Sequence, residues 1–320
     1  MKTDIDVVVC EVGLRDGLQS IAQFFPTAEK IAWIQAEAAA GVPAIEVTSF
    51  VPATLIPQFA DSQEVVMAAR AIAGLRVDAL VPNLKGAERA VALGINSLDF
   101  VMSVSRTHNL KNVRREREES IEEFKRIVSM VRQLPPQQRP RLTPGLGTAL
   151  GCSYEGAIAV DEVVKCAVAL AEAGADEIMI CDTVGYADPV LVKKVFTAVR
   201  SAVGSLPLGA HFHDTRGLGL ANVTAALDCG VRRFDASLAG LGGCQFAPGA
   251  TGNIVMDDLC FLLDSMGLRT GVDLDKLVPV RQIIARNLPD VPLYGGLARS
   301  GLPRNYVPAA QRAALTNLIF

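Results

Sequence analysis

The chain has 320 residues, 50% of them hydrophobic and 20% charged, with a formal net charge of −3. That balance suits a soluble protein with a sizeable core and provides no basic field for nucleic acid or an anionic membrane surface. No apolar run approaches the ~18 residues needed to span a bilayer.

Strand-like and helix-like stretches alternate along the chain. Residues 5–12 are a β-branched run broken at Gly13. Residues 27–40 read as a helix opened by Thr27 and stopped by Gly41. A strand over 44–48 is followed by a helix over 61–72, with Asp61 as its expected N-cap. Strand 76–81 ends at Pro82-Asn83, helix 86–93 stops at Gly94, and 97–102 is the fourth strand. Residues 103–119 form a polar stretch rich in Arg, Lys and Asn, expected as a long connection, either a lid or a surface loop.

Helix 121–134 ends at Pro135-Pro136, and strand 141–150 is irregular around Pro144, Gly145 and Gly147. Helix 160–173, strand 177–181, helix 189–202, strand 208–213, helix 218–229 and strand 233–237 complete the series. A glycine-rich stretch, 240–252, then leads into a helix over 254–266. Such alternation implies parallel strands joined by crossover helices, and eight units argue for a closed (β/α)₈ TIM barrel rather than an open sheet. The expected organisation is a catalytic barrel over 1–271, with helices in 272–320 packed on it or mediating assembly.

The seven cysteines show no CxxC or finger spacing, so neither a disulfide framework nor a zinc cluster is expected. The segment Met1 to Asp6 is acidic and runs straight into a strand pattern, unlike a signal or transit peptide. A cytoplasmic, reducing compartment is the expectation.

Two of the three histidines, His211 and His213, lie one residue apart at the end of a strand. Side chains two apart on a strand share a face, ~7 Å apart along the chain. Barrel active sites form at the C-terminal ends of the strands. The polar residues expected at that mouth are Arg15, Asp16, Glu46, Asn83, Thr148, Asp182, His211 and His213, with Asn253 beyond the eighth unit. Asp16, His211, His213 and Asn253 offer one carboxylate, two imidazoles and one amide. That mixture suits an octahedral cation such as Mg²⁺ or Mn²⁺ better than zinc, whose structural sites are cysteine-rich. Arg15 at the same mouth would stabilise a developing oxyanion such as a thioester enolate, with Glu46 holding its guanidinium. Cys244 lies in a glycine-rich loop and, read alone, is a free cysteine in a turn.

These residues carry a family resemblance. Glu11-Val12-Gly13-Leu14-Arg15-Asp16-Gly17-Leu18-Gln19, Glu46-Val47-Thr48-Ser49-Phe50-Val51, Pro82-Asn83-Leu84-Lys85-Gly86 and Gly151-Cys152-Ser153-Tyr154-Glu155-Gly156 all resemble 3-hydroxy-3-methylglutaryl-CoA lyase. So do Asp182-Thr183-Val184-Gly185, His211-Phe212-His213-Asp214-Thr215 and the stretch 239–253, in order from about residue 6 to 272.

The resemblance implies a metal-dependent retro-Claisen lyase acting on an acyl-CoA, without redox or organic cofactor, and commonly a homodimer. It implies Asp16, His211, His213 and Asn253 as metal ligands and Arg15 as the residue that steadies the acetyl-CoA enolate. Cys244 would be the acid of a mobile loop. Glu46 and Asp182 would support Arg15 and the proton path, with His211 or Asp182 taking the alcohol proton. Arg15, Gln19, Asn83 and Thr148 would contact substrate.

Departures lie near the site. Ser20-Ile21-Ala22 stands where the family usually has Asn-Glu-Lys, and Pro52-Ala53-Thr54-Leu55 where it usually has Ser-Pro-Lys-Trp. Arg216 and Leu218 replace a Tyr and a Gln, and Gln245-Phe246 replaces Pro-Tyr. These departures keep a lyase for a shorter substrate open, such as citramalyl-CoA, which yields pyruvate. A condensing synthase of the same superfamily and a non-catalytic metal-binding barrel are the remaining readings. The basic residues Arg106, His108, Lys111, Arg114 and Arg115 are either CoA-phosphate contacts or a solvated surface.

Overall fold

Eight parallel strands close into a barrel in sequence order. They are β1 (Val8–Glu11), β2 (Ala44–Ser49), β3 (Arg76–Val81), β4 (Ser97–Ser103), β5 (Arg141–Gly147), β6 (Ile178–Asp182), β7 (Leu208–Phe212) and β8 (Arg233–Ala236). The helices of the ring are α1 (Thr27–Ala39), α2 (Ser62–Arg70), α3 (Leu84–Ala92), α4 (Arg106–Val113), α5 (Arg117–Arg132), α6 (Val160–Ala173), α7 (Pro189–Val203), α8 (Gly219–Asp228) and α9 (Met256–Ser265). After them come α10 (Leu274–Asn287), α11 (Leu297–Ser300) and α12 (Ala309–Thr316). The computed structural model describes residues 5–242 and 252–316. β1 pairs with β8, Cys10 beside Asp235, which closes the cylinder. The expected TIM barrel is therefore the observed fold.

The large apolar core lies between barrel and helices, where Phe25, Trp33, Phe124, Phe196 and Phe212 are all buried. Removing each such side chain from water stabilises the fold by roughly 1.5–3 kcal/mol. α10 lies against α1: Leu277, Val280 and Ile284 are buried, and Arg286 and Asn287 both bond Glu29.

Two local expectations are corrected. Residues 103–119 are no open connection: they hold α4 and the start of α5. The segment α4 has little apolar periodicity, so its helix is legible only through its caps. Ser105 accepts from the His108 amide at 3.1 Å, and Asn109 is buried with bonds to the Ser103 amide, the Arg115 carbonyl and Ser120. Asp61 precedes α2 but makes no side-chain cap; its carboxylate is taken by Lys30 at 2.9 Å and by Thr27.

The barrel interior is mostly polar. Cys10, Val12 and Ala44 make only a small apolar cluster there. Beside it Arg233 reaches Glu177 at 2.9 Å and Asp78 at 3.2 Å, and Arg76 also holds Asp78. Burying carboxylates at this density is tolerable only with guanidinium partners, because an unpaired buried charge costs several kcal/mol.

A second buried pair lies outside the barrel wall. Glu11 and Glu37 are both fully buried and in mutual contact, and Trp33 Nε1 donates to Glu37 at 2.8 Å. Glu11 accepts from the Gly13 and Leu238 amides, so it ties the chain after β1 to the turn after β8. Burial, with the neighbouring carboxyl, pushes Glu37 well up, and burial pushes Glu11 to about 8. A raised carboxyl pKa gives stability that is present at low pH and lost as pH rises through the folded value. Thermal stability is thus expected to fall as pH rises from the ordinary Glu value of 4.5 through about 8. Glu37→Gln keeps an acceptor for Trp33 and a donor for Glu11 without a titrating proton, so it should flatten that fall. A variant that loses stability over this pH range as steeply as the parent would dismiss the pair as its source.

Candidate metal centre and active site

The chain leaves β1 in a π-helical turn, Gly13–Gly17, in which the amides of Arg15, Asp16 and Gly17 all point to the Val12 carbonyl. Such turns recur at functional sites. Here Arg15 and Asp16 both enter the mouth and bond each other at 2.6 Å. Glu46, on β2, takes the other edge of the guanidinium through Nε at 2.6 Å.

His211 ends up opposite this turn, on β7, with His213 just beyond. Phe212 between them faces outward into the core, as strand alternation requires. The two Nε2 atoms lie 3.2 Å apart, and Asp16 Oδ2 is 3.8 Å from the first and 3.6 Å from the second. Asn253 joins from a distant part of the sequence by backbone pairing. It bridges to His213, the Asp214 amide bonds the Gly252 carbonyl, and the Ile254 amide bonds the Phe212 carbonyl. Its Nδ2 donates to Asp16 at 2.8 Å and to the Leu241 carbonyl at 3.0 Å. Gly242 permits this: a Cβ there would lie 2.6 Å from Asn253 Nδ2, and its φ of +102° disfavours any other residue.

The donor set fits a cation. Asp16, His211 and His213 place ligand atoms within 4.8 Å of one another. Asn253 Oδ1 and His213 Nδ1 are buried without a hydrogen-bond partner among the described residues. A buried amide oxygen left unpaired is costly, and a metal would satisfy it. Burial alone would raise Asp16, yet Arg15 and the two histidines hold it well below the usual carboxylate range. Burial lowers His213, keeping its imidazole neutral and able to ligate.

These residues open into a cavity of about 730 Å³ whose lining includes Arg15, Asp16, Gln19, Glu46, His211 and His213. Gln19 thus sits where a substrate contact was expected. Three other expected residues point elsewhere. Asn83 caps α3, accepting from the Gly86 amide at 2.9 Å. Thr148, at a φ of +56°, donates to the Gly147 carbonyl at 2.7 Å and accepts from the Ser105 amide. Asp182 is fully buried and accepts from the Tyr186 and Ala187 amides, organising the turn after β6. Burial pushes Asp182 up to about 6 against those two amides. None of the three lines the cavity. Cys244 falls in 243–251, outside the described residues. Of the basic stretch, Arg106 pairs with Glu118, Arg115 donates to the Pro82 carbonyl, Lys111 lies over Tyr154, and His108 lines the cavity.

Asp235 was not among the expected site residues. It lies on β8, two residues after Arg233 on the same inward face, and accepts from His211 Nδ1 at 3.2 Å. An acid at an inward position of the last strand was the available signal.

Residues 6–284 match the HMGL-like family. The chain belongs to that family. It is 37% identical to a hydroxymethylglutaryl-CoA lyase of Bacillus subtilis, over 88% of this chain and 93% of the relative. It is 39% identical to the mitochondrial hydroxymethylglutaryl-CoA lyase of Rattus norvegicus, over 88% and 86%. The structure of an HMG-CoA lyase from Acinetobacter baumannii in complex with coenzyme A and 3-methylmalate superposes with a TM-score of 0.86 at 39% identity, over 94% of this chain and 97% of that one. The family resemblance noted in the motifs thus extends over most of the chain. Among the described residues, no helix is long and apolar enough to cross a membrane.

A carboxylate that fixes the far nitrogen of a ligating histidine typically governs metal affinity by 10–100-fold. Asp235→Asn is expected to weaken Mn²⁺ binding by about 10–100-fold, measured by calorimetry. Unchanged affinity would mean that His211 is oriented without it.

Proposed function

We propose that this HMGL-like protein is a divalent-metal-dependent lyase that cleaves 3-hydroxy-3-methylglutaryl-CoA to acetyl-CoA and acetoacetate. One observation carries the reading: a three-residue ligand cluster and a guanidinium share one cavity at the barrel mouth, in a chain that matches named lyases over most of its length.

Asp16, His211, His213 and the Asn253 side-chain oxygen would hold the ion, with Mg²⁺ or Mn²⁺ favoured by the oxygen and nitrogen donors. A bound divalent cation lowers the pKa of an alcohol, which is what a tertiary hydroxyl needs to lose its proton near neutrality. Of the two proton acceptors suggested by the sequence, Asp182 does not line the cavity. His211 faces the cavity, and Asp182 spends both oxygens on its own turn.

The C2–C3 bond then breaks, and its electron pair becomes a thioester enolate. Arg15, fixed by Glu46 and Asp16, presents its charge where that oxyanion develops. Cys244 is assigned the proton that turns the enolate into acetyl-CoA. In support, the glycines flanking its segment are anchored at the site: Gly242 against Asn253 and Asp16, and Gly252 through Asp214.

With Mg²⁺ or Mn²⁺ present, acetyl-CoA and acetoacetate should appear in equal amounts, and chelation should abolish both. Arg15→Gln should lower kcat by about 10²–10³-fold, the range for loss of one oxyanion donor. Pyruvate as the dominant keto acid, from citramalyl-CoA in a parallel assay, would overturn the substrate assignment.

A further inference from the structure

The two departures from the family pattern that lie about thirty positions apart in sequence meet in the structure. Ser20, Ile21, Ala22 and Phe24 of the first segment and Val51, Leu55, Ile56 and Pro57 around the second line the cavity that holds Arg15 and the ligand cluster. Gln58 joins them. It is buried, accepts from the Phe25 amide at 3.1 Å, and donates to the Ile21 carbonyl at 2.9 Å and to the Gln23 carbonyl. Lys30 clamps the same unit through the Gln58 carbonyl and Asp61. The result is one wall, formed by Ile21, Ala22, Phe24, Leu55 and Ile56.

In the first segment Glu-Lys has given way to Ile21-Ala22, and in the second a lysine has given way to Thr54 and a tryptophan to Leu55, so each segment has lost a cationic position. Leu55 is 63% exposed and Phe24 42% exposed at the rim. Large apolar side chains left open beside a ligand cavity mark a surface that something covers. Charge narrows what that is. Arg15 is the sole Lys or Arg among the described residues lining the cavity, and it is already engaged by Asp16 and Glu46. The wall therefore has no cation for a carboxylate or phosphate, but it has area for a hydrocarbon.

Resting on the lyase reading above, we propose that the preferred substrates are 3-hydroxy-3-alkylglutaryl-CoA thioesters whose C3 branch is longer than methyl, with the branch lying on this wall. The chemistry of C3 leaves little else. On that reading its hydroxyl would lie on the ion held by the ligand cluster, where the carboxylate of its carboxymethyl arm could chelate with it, and its thioester arm would lie at Arg15. The fourth substituent alone is unassigned. The reaction balances as before. The hydroxyl proton leaves, O3 becomes a ketone, the C2–C3 pair passes to C2, and C2 takes one proton. The products are acetyl-CoA and a 3-oxo acid that retains the branch.

The test compares 3-hydroxy-3-methylglutaryl-CoA with 3-hydroxy-3-hexylglutaryl-CoA under Mn²⁺, following acetyl-CoA release and, for the hexyl compound, 3-oxononanoate. The parent protein should favour the hexyl substrate in kcat/KM by about tenfold or more, since one methylene in an apolar pocket discriminates on that order. Leu55→Lys and Ala22→Lys place their charge at the solvated rim, so folding is retained, and each should lower that preference by about tenfold. Preference for the methyl substrate would overturn the proposal and leave the lyase reading standing. Equal losses on both substrates in the lysine variants would assign the wall to the CoA arm and overturn it as well. No acetyl-CoA from either substrate would overturn the lyase reading and the proposal together.

Discussion

A column of charge runs up the inside of the barrel, and the site depends on it. Arg233 neutralises Glu177 and Asp78 and lies beside Asp235. Asp235 holds His211, which faces Asp16, and Asp16 is paired to Arg15, which is paired to Glu46. Each charge in this low-dielectric interior is tolerable because the next one answers it. Loss of Arg15 would leave Glu46 unpaired, and loss of Asp235 would leave His211 Nδ1 without its acceptor, so the column orients side chains more firmly than packing alone could.

That rigidity matters for the chemistry assigned to the mouth. A guanidinium that must meet an oxyanion as it forms cannot reorganise at that moment, and its two carboxylate partners remove its freedom beforehand. The ligand cluster is prepared in the same way. Asp16 is held ionised by Arg15 and the histidines, His213 is kept neutral by burial, and Asn253 is delivered by backbone pairing to the end of β7. Where the column meets solvent, the protein changes character. The wall built on Gln58 presents apolar side chains, and the one cation behind it, Lys30, is buried and engaged by Asp61, so the charged end of the cavity and this wall are physically distinct.

Much of this was legible in the chain itself. Alternating strand and helix patterns, with glycines closing the helices, implied eight parallel units and a closed barrel. The barrel rule then placed Arg15, Asp16, Glu46 and His211 at one mouth. These inferences succeed because they depend on local periodicity and on one topological fact, that strand ends converge. They fail where a polar residue at a strand end has a local use. Asn83 caps a helix, Thr148 braces a turn, and Asp182 gathers two amides. A cap and a ligand look alike in sequence, since both are short polar side chains just after a strand. The segment Arg106–Val113 was hidden for a related reason: its helix is held by caps and two buried polar side chains, not by an apolar stripe.

The sequence by itself determined the architecture and the donor set, because strand alternation and residue chemistry are written locally. Only the tertiary structure decided which polar residues face the cavity, that Asp235 stands behind His211, and that two separate departures form one surface. Those facts depend on inward or outward orientation and on contacts between residues far apart in the chain, which closure of the barrel creates.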